Sequence, residues 1–197
     1  MEINYHVLYQ SGLFGGIAEA DIAAMLNCLQ AREVSYFKGQ FIYQENDVVQ
    51  EAGIVMSGKV HVLQEDFWGN RNIVSVMQRG DIFGEVYACL GNEKLRISIC
   101  AETDCQMLFI NLRKAMHVCR NTCLFHQKLV ENMVYSIARK NLNLTAKIQH
   151  ISRRSIREKV LSYLSEESRR NESSYFSIPF TRQQMADFLA VDLSALS

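Results

Sequence analysis

The chain has 197 residues, 48% of them apolar, with 21 Lys and Arg set against 21 Asp and Glu. That composition supports a sizeable core, in one large domain or two small ones, and argues against disorder. No apolar run approaches the ~20 residues needed to span a bilayer, and no charged segment leads into an apolar one at the N-terminus, so the reading is a soluble, cytoplasmic protein without a membrane partner. The zero net charge hides an asymmetry. Up to Ile110 there are 7 Lys and Arg against 14 Asp and Glu, and from Asn111 onward 14 against 7. An acidic module joined to a basic one points to an anionic partner for the second half, nucleic acid foremost.

In chain order, "EADIAAMLNCLQAREV" has helical periodicity with acidic residues early and predicts a short helix. From Val34 to Leu112 come short β-rich runs punctuated by glycine. Turns are expected at Lys38-Gly39, Ser57-Gly58, Gly69-Asn70 and Gly80-Asp81, with Ile54 and Met56, then Val60 and Val62, alternating. "RISICAETDCQMLFINL" supplies a last pair of strands. Strands at this spacing argue for a β-sandwich or barrel.

From about Thr122 to Ile151 there is neither proline nor glycine, which predicts one long helix. Along it Val130, Val134, Ile137, Asn141, Leu144, Ile148 and Ile151 recur at alternating spacings of four and three, the seam of a two-stranded coiled coil. A single asparagine within such a seam fixes register and partner number, so a homodimer is expected. Leu129, Met133 and Leu142 are read as a second strip that packs on the barrel.

Beyond Ile151 a new helix carries Arg153, Arg154, Arg157 and Lys159 beside Ile156, Val160, Leu161 and Leu164. A hinge is expected near Ser152, "SRRNESS" reads as a loop, and "YFSIPF" as a short strand. The end of the chain, "PFTRQQMADFLAVDLSALS", reads as a helix from about Thr181 to Leu189, a turn at Ala190-Val191, and a second helix capped by Asp192. Two short helices joined in this way form a helix-turn-helix, whose second helix enters the major groove.

Catalytic and metal chemistry find little support. Of the six cysteines (Cys28, Cys89, Cys100, Cys105, Cys119 and Cys123) none forms a C-x-x-C pair. Cys119 and Cys123, flanked by His117 and His126, share a helix face, which suits a soft metal, a disulfide switch or plain packing. His61 lacks the His-x-His partner of a barrel metalloenzyme, and no nucleophile-base or paired-carboxylate set is present, so an enzyme is not expected.

With barrel, long helix and helix-turn-helix in this order, together with "RGDIFGE" (Arg79 to Glu85) and "TRQQMADFLAVD" (Thr181 to Asp192), the chain resembles the Crp/Fnr superfamily of bacterial transcription regulators, the catabolite-activator type. The resemblance implies an α+β fold: a β-roll of the double-stranded β-helix or jelly-roll kind over residues 1–121, a dimerisation helix over 122–152, and a winged helix-turn-helix over 153–197 that breaks off within the recognition helix. On that basis this chain is expected to dimerise without binding an operator specifically.

The resemblance further implies a small-molecule effector in the roll, DNA as the macromolecular partner, and contact with RNA polymerase. Its ligand set falls on Gly84, Glu85, Val86, Arg96, Lys140 and Thr145. In cyclic-nucleotide members an arginine followed by a hydroxyl residue binds the cyclic phosphate. Here those two positions hold Leu95 and Arg96, so the arginine is displaced by one and cyclic AMP is not the expected effector. A shifted Arg96 contact to a cyclic nucleotide and a thiol or metal sensor are the alternatives. For DNA the resemblance implies phosphate contacts from Thr181, Arg182 and Gln183, and contacts from Ser194 and Ser197 to base edges or phosphate. Leu193 stands where the family commonly has a basic residue, which removes one bidentate contact to guanine.

Overall fold

The computed structural model describes residues 3–65, 71–116, 124–178 and 180–196. The chain divides into two compact units, Met1–Ser136 and Ile137–Ser197.

In the first unit, helices α1 (Tyr5–Gln10) and α2 (Glu19–Cys28) precede eight strands. These are β1 (Arg32–Tyr36), β2 (Phe41–Tyr43), β3 (Ala52–Ser57), β4 (Lys59–Glu65), β5 (Arg71–Gln78), β6 (Ile82–Phe83), β7 (Ser98–Ala101) and β8 (Cys105–Ile110). Helix α3 (Glu85–Leu90) lies between β6 and β7, and α4 (Leu112–Met116) follows β8. The strands form two antiparallel four-stranded sheets, ordered β1-β8-β3-β6 and β2-β7-β4-β5. This is the expected β-roll. Ser57-Gly58 forms the expected tight turn, with Gly58 at φ +81° and no room for a Cβ, which would lie 2.5 Å from the Asp104 carbonyl oxygen. The turn expected at Gly69-Asn70 lies outside the described residues.

The interior between the sheets holds Ile42, Val55, Val60, Phe83, Ile99, Ala101, Cys105, Met107 and Phe109. Strand alternation sends Ile54, Leu108 and Ile110 to the other face of the first sheet, yet all three are fully buried. The simple alternation expected of Ile54 and Met56 therefore does not separate core from solvent on β3. Helix α3 lies against that strand.

Helix α5 runs from Leu124 to Ile151, and the boundary between the units falls inside it. Its first half is fastened to the first unit by Leu129 and Met133, both buried, and by the Asn132 amide, which donates to the carbonyls of Leu13 and Gly15 at 2.9 Å each. Leu142, placed with them in the sequence reading, is 70% exposed. Nine residues at about 100° each carry it to the opposite side of the helix from Met133.

The second unit contains the rest of α5, then α6 (Ile156–Arg170), α7 (Arg182–Leu189) and one 3₁₀ turn, Leu193–Ala195. Both α6 and α7 start at reciprocal capping boxes, Ser155 with Glu158 and Thr181 with Gln184. Two local expectations fail. Residues 175–178 form no strand, and Tyr175 is 93% exposed, because no described segment pairs with them. Asp192 occupies the cap position of the last turn, but its carboxylate makes no capping hydrogen bond.

Candidate effector site and nucleic-acid interface

In the first unit the candidate effector site is built on the β6–α3 corner. Phe83 ends β6 inside the roll, Gly84 turns the chain at φ +73°, and Glu85 opens α3. A Cβ on Gly84 would meet the Val49 side chain at 3.4 Å, in a backbone conformation that L-residues rarely adopt. Glu85 is buried at 6% exposure, whereas Val86, next along, is exposed. The Glu85 charge is felt by Cys89 one turn on. Burial, and secondarily that charge, hold the Cys89 thiol above its ordinary pKa.

Across the corner, Leu95 is tied into the loop at Asn46 and Asp47. Asn46 N–H donates to the Leu95 carbonyl at 2.8 Å, and Leu95 N–H to the Asp47 carbonyl at 2.9 Å. The Leu95 side chain is 1% exposed. Arg96 is exposed and has no hydrogen-bond or ion-pair partner among the described residues. Glu85 and Leu95 are thus both buried, whereas Arg96 faces solvent.

Aromatic rings fill the interior beside this corner. Phe109 meets Tyr36, Tyr43 and Phe83 edge-on at centroid distances of 6.4, 5.9 and 6.2 Å. The Tyr43 hydroxyl donates to the Glu51 carbonyl at 3.1 Å, and burial pushes its phenol well above the usual range. Arg32 lies over Phe109, 4.6 Å from its centroid, and pairs with Glu51 at 2.6 Å. This clamp joins residues 19 apart in the chain, and no local motif announces it.

On α5 the seam residues fall into two groups. Val134, Asn141, Leu144 and Ile148 are exposed, and Val130, Ile137 and Ile151 are half-buried. Val134, Leu144 and Ile148 show 58%, 60% and 58% of their surface to solvent. Lys140 and Thr145 are exposed on the same helix, in the second unit. His117, Cys119 and Cys123 lie outside the described residues. His126 is buried, with neither ring nitrogen hydrogen-bonded among the described residues.

The candidate DNA-facing residues cluster at the start of α7. The Thr181 hydroxyl accepts from Gln184 N–H at 3.2 Å, and the Gln184 side chain accepts from Thr181 N–H at 2.8 Å. The Thr181 O–H itself remains a donor. Arg182 is exposed, and the Gln183 amide donates to Asp187 at 2.9 Å. At the other end Ala190 takes the left-handed conformation at φ +51°, and the Lys159 ammonium donates to the carbonyls of Leu189 and Ala190 at 3.3 and 3.2 Å. Leu193 and Ser194 are exposed on the turn that follows, and Ser197 lies outside the described residues.

Comparison with known proteins agrees with this architecture. The Cyclic nucleotide-binding domain family matches residues 33–136. A CRP-like cAMP-activated global transcriptional regulator of Mycobacterium tuberculosis is 30% identical over 80 residues, which cover 41% of this chain and 35% of that protein. Transcriptional activator protein FnrL of Cereibacter sphaeroides is 25% identical over 174 residues, covering 83% of this chain and 66% of the relative. The matches therefore span less than two thirds of either relative. The crystal structure of Thermus thermophilus Catabolite Activator Protein superimposes with a TM-score of 0.53 at 18% identity, over 94% of this chain and 83% of that one. The chain belongs to the cyclic nucleotide-binding domain family, and the relatives it resembles carry the names of CRP-like and Fnr-type transcription regulators.

Proposed function

We propose that the chain is part of an effector-responsive, homodimeric transcription regulator whose full-length form binds double-stranded DNA, and that its effector is not cyclic AMP. In this reading residues 1–121 sense the effector, 122–152 dimerise and 153–197 meet DNA. The observation that carries the effector reading is Leu95. A cyclic phosphate carries a full negative charge, and bringing it beside a buried leucine without a cation leaves that charge unpaired, which is costly.

Dimerisation is supported by the apolar stripe on α5. A helix exposing Val134, Leu144 and Ile148 on one side, interrupted by Asn141, has the pattern of a parallel two-stranded coiled coil. DNA binding is supported by Thr181, Arg182 and Gln183 at a helix N-terminus, where free amides and side chains together favour phosphate.

A second reading keeps a cyclic nucleotide as the effector. It is favoured by Gly84-Glu85 in the sugar-binding position, by the name of the mycobacterial relative, and by Arg96, which has no partner among the described residues. Calorimetric titration with cyclic AMP separates the two. Absence of heat from the folded dimer is the expected result. Saturable micromolar binding that is lost in Glu85→Ala and Arg96→Ala would establish the second reading.

A further inference from the structure

In the second unit one side chain ties all three helices together. His150, in the last turn of α5, is 4% exposed, while Ile148 and Gln149 beside it face solvent. Its Nδ1 lies 2.9 Å from the Ser162 hydroxyl and its Nε2 lies 3.2 Å from the Glu166 carboxylate. Ser162 and Glu166 are four residues apart, on one face of α6. The ring also packs edge-on against Tyr163 of α6 at 5.9 Å and at a tilt against Phe188 of α7 at 6.4 Å.

We propose that His150 is the positioning residue that ties the orientation of α6 and α7 to that of the dimer helix. The connection from α5 to α6 is only residues 152–155. Ser152 and Arg153 N–H donate back to Ile148 and His150 of α5, Arg154 and Ser155 N–H donate forward to the Glu158 carboxylate of α6, and none of these bonds joins α5 to α6 directly. Those bonds leave α6 free to swivel. The imidazole removes that freedom, because its two nitrogens sit on different edges of one flat ring. Each edge reaches a different turn of α6, while the ring packs against Tyr163 and Phe188, which with Phe180 form an aromatic cluster. A carboxylate only accepts, so Nε2 carries a proton toward Glu166, and the Ser162 hydroxyl satisfies Nδ1 as donor or as acceptor. An aliphatic or phenyl side chain fills the space but holds no angle. Lys147, over the Phe188 ring at 5.1 Å, is a second α5 group that reaches α7, and its cation–π contact is weaker and less directional.

The use of this bracket, carrying a movement of α5 to the DNA-facing helix, rests on the regulator reading. The bracket itself is tested without effector or DNA. Amide hydrogen exchange of this chain is followed by mass spectrometry in the parent, His150→Ala and His150→Gln. In His150→Ala the amides of α7 are expected to exchange about tenfold faster, with the β-roll strands unchanged. His150→Gln, whose amide still donates toward Glu166, is expected to restore most of that protection. Unchanged α7 exchange in His150→Ala would overturn the proposal, and so would equal loss in the Ala and Gln variants, which would make His150 a space-filler. Should His150→Ala fail to fold, the double variant Ser162→Ala, Glu166→Gln keeps the ring and weakens only its polar anchors. The same acceleration in α7 is expected there, and parent-like exchange refutes the bracket. Sedimentation of the parent reports separately on dimerisation, so the two readings can fail independently.

Discussion

Replacing Ile148 with glutamate tests the dimer seam. Ile148 shows 58% of its surface in the protomer, so its side chain contributes little to the folded chain and most of it is available for an interface. Fully burying an isoleucine side chain is worth about 1.5–3 kcal/mol. Burying the exposed fraction is then worth about 0.9–1.7 kcal/mol per copy, or about 2–3.5 kcal/mol for the two copies that meet across a two-fold axis. At 1.4 kcal/mol per decade, losing that burial weakens dimerisation by about 30- to 300-fold, and two facing carboxylates add repulsion to it. Glutamate is a good helix former, so α5 itself is not expected to melt. The assay is sedimentation equilibrium over a dilution series, with circular dichroism to confirm unchanged helicity. Asn141→Val is expected to move the other way, tightening association while loosening control of partner number. A monomer–dimer equilibrium unmoved by Ile148→Glu, in a chain that stays helical, would refute the seam.

Two further outcomes follow from the geometry. Thr181→Ala removes one half of the capping box of α7 and is expected to cost about 1 kcal/mol locally, a rise of about fivefold in the exchange rate of the first α7 amides. Thr181→Ser should behave as the parent, and equal rates in all three would show that the cap is idle. Stability should fall with rising alkalinity. Burial holds the thiols of Cys89 and Cys105 above their ordinary pKa, so both stay protonated in the folded chain after the unfolded chain has begun to ionise. Their contribution is fully present below the unfolded thiol pKa of about 8.5 and is lost as pH rises through the folded values. Urea midpoints at pH 7.5 and 9.5 check the sign, and a midpoint that rises with pH contradicts it.

Much of the architecture was legible because its causes are local. Glycine at Gly58 and Gly80 marks backbone conformations that other residues resist, and the turns fall there. The start of α7 is announced by Thr181, whose hydroxyl reaches an amide only three residues away. Where sequence pattern and structure differ, the cause is a non-local contact or the phase of the helix. Alternation on β3 did not sort inside from outside, since helix packing buries the second face of its sheet as well. Leu142 was assigned to the wrong strip because nine residues make two and a half turns. A strand at 175–178 was expected from composition, yet a strand exists only where a partner supplies hydrogen bonds.

The candidate sites divide in the same way. The displacement of arginine from position 95 to position 96 was visible in the sequence, as were the seam on α5 and the polar start of α7. By itself the sequence determined the order of the main elements, from their periods, caps and turns, and offered candidate positions for the site. Only the tertiary structure decided that Leu95 is buried, that Arg32 and Glu51 clamp Phe109, and that His150 brackets Ser162 and Glu166. The physical reason is range. A period or a cap is set by neighbours within a turn or two, whereas burial and pairing of a side chain depend on residues brought close by the fold, and one sequence carries no local mark of which they will be.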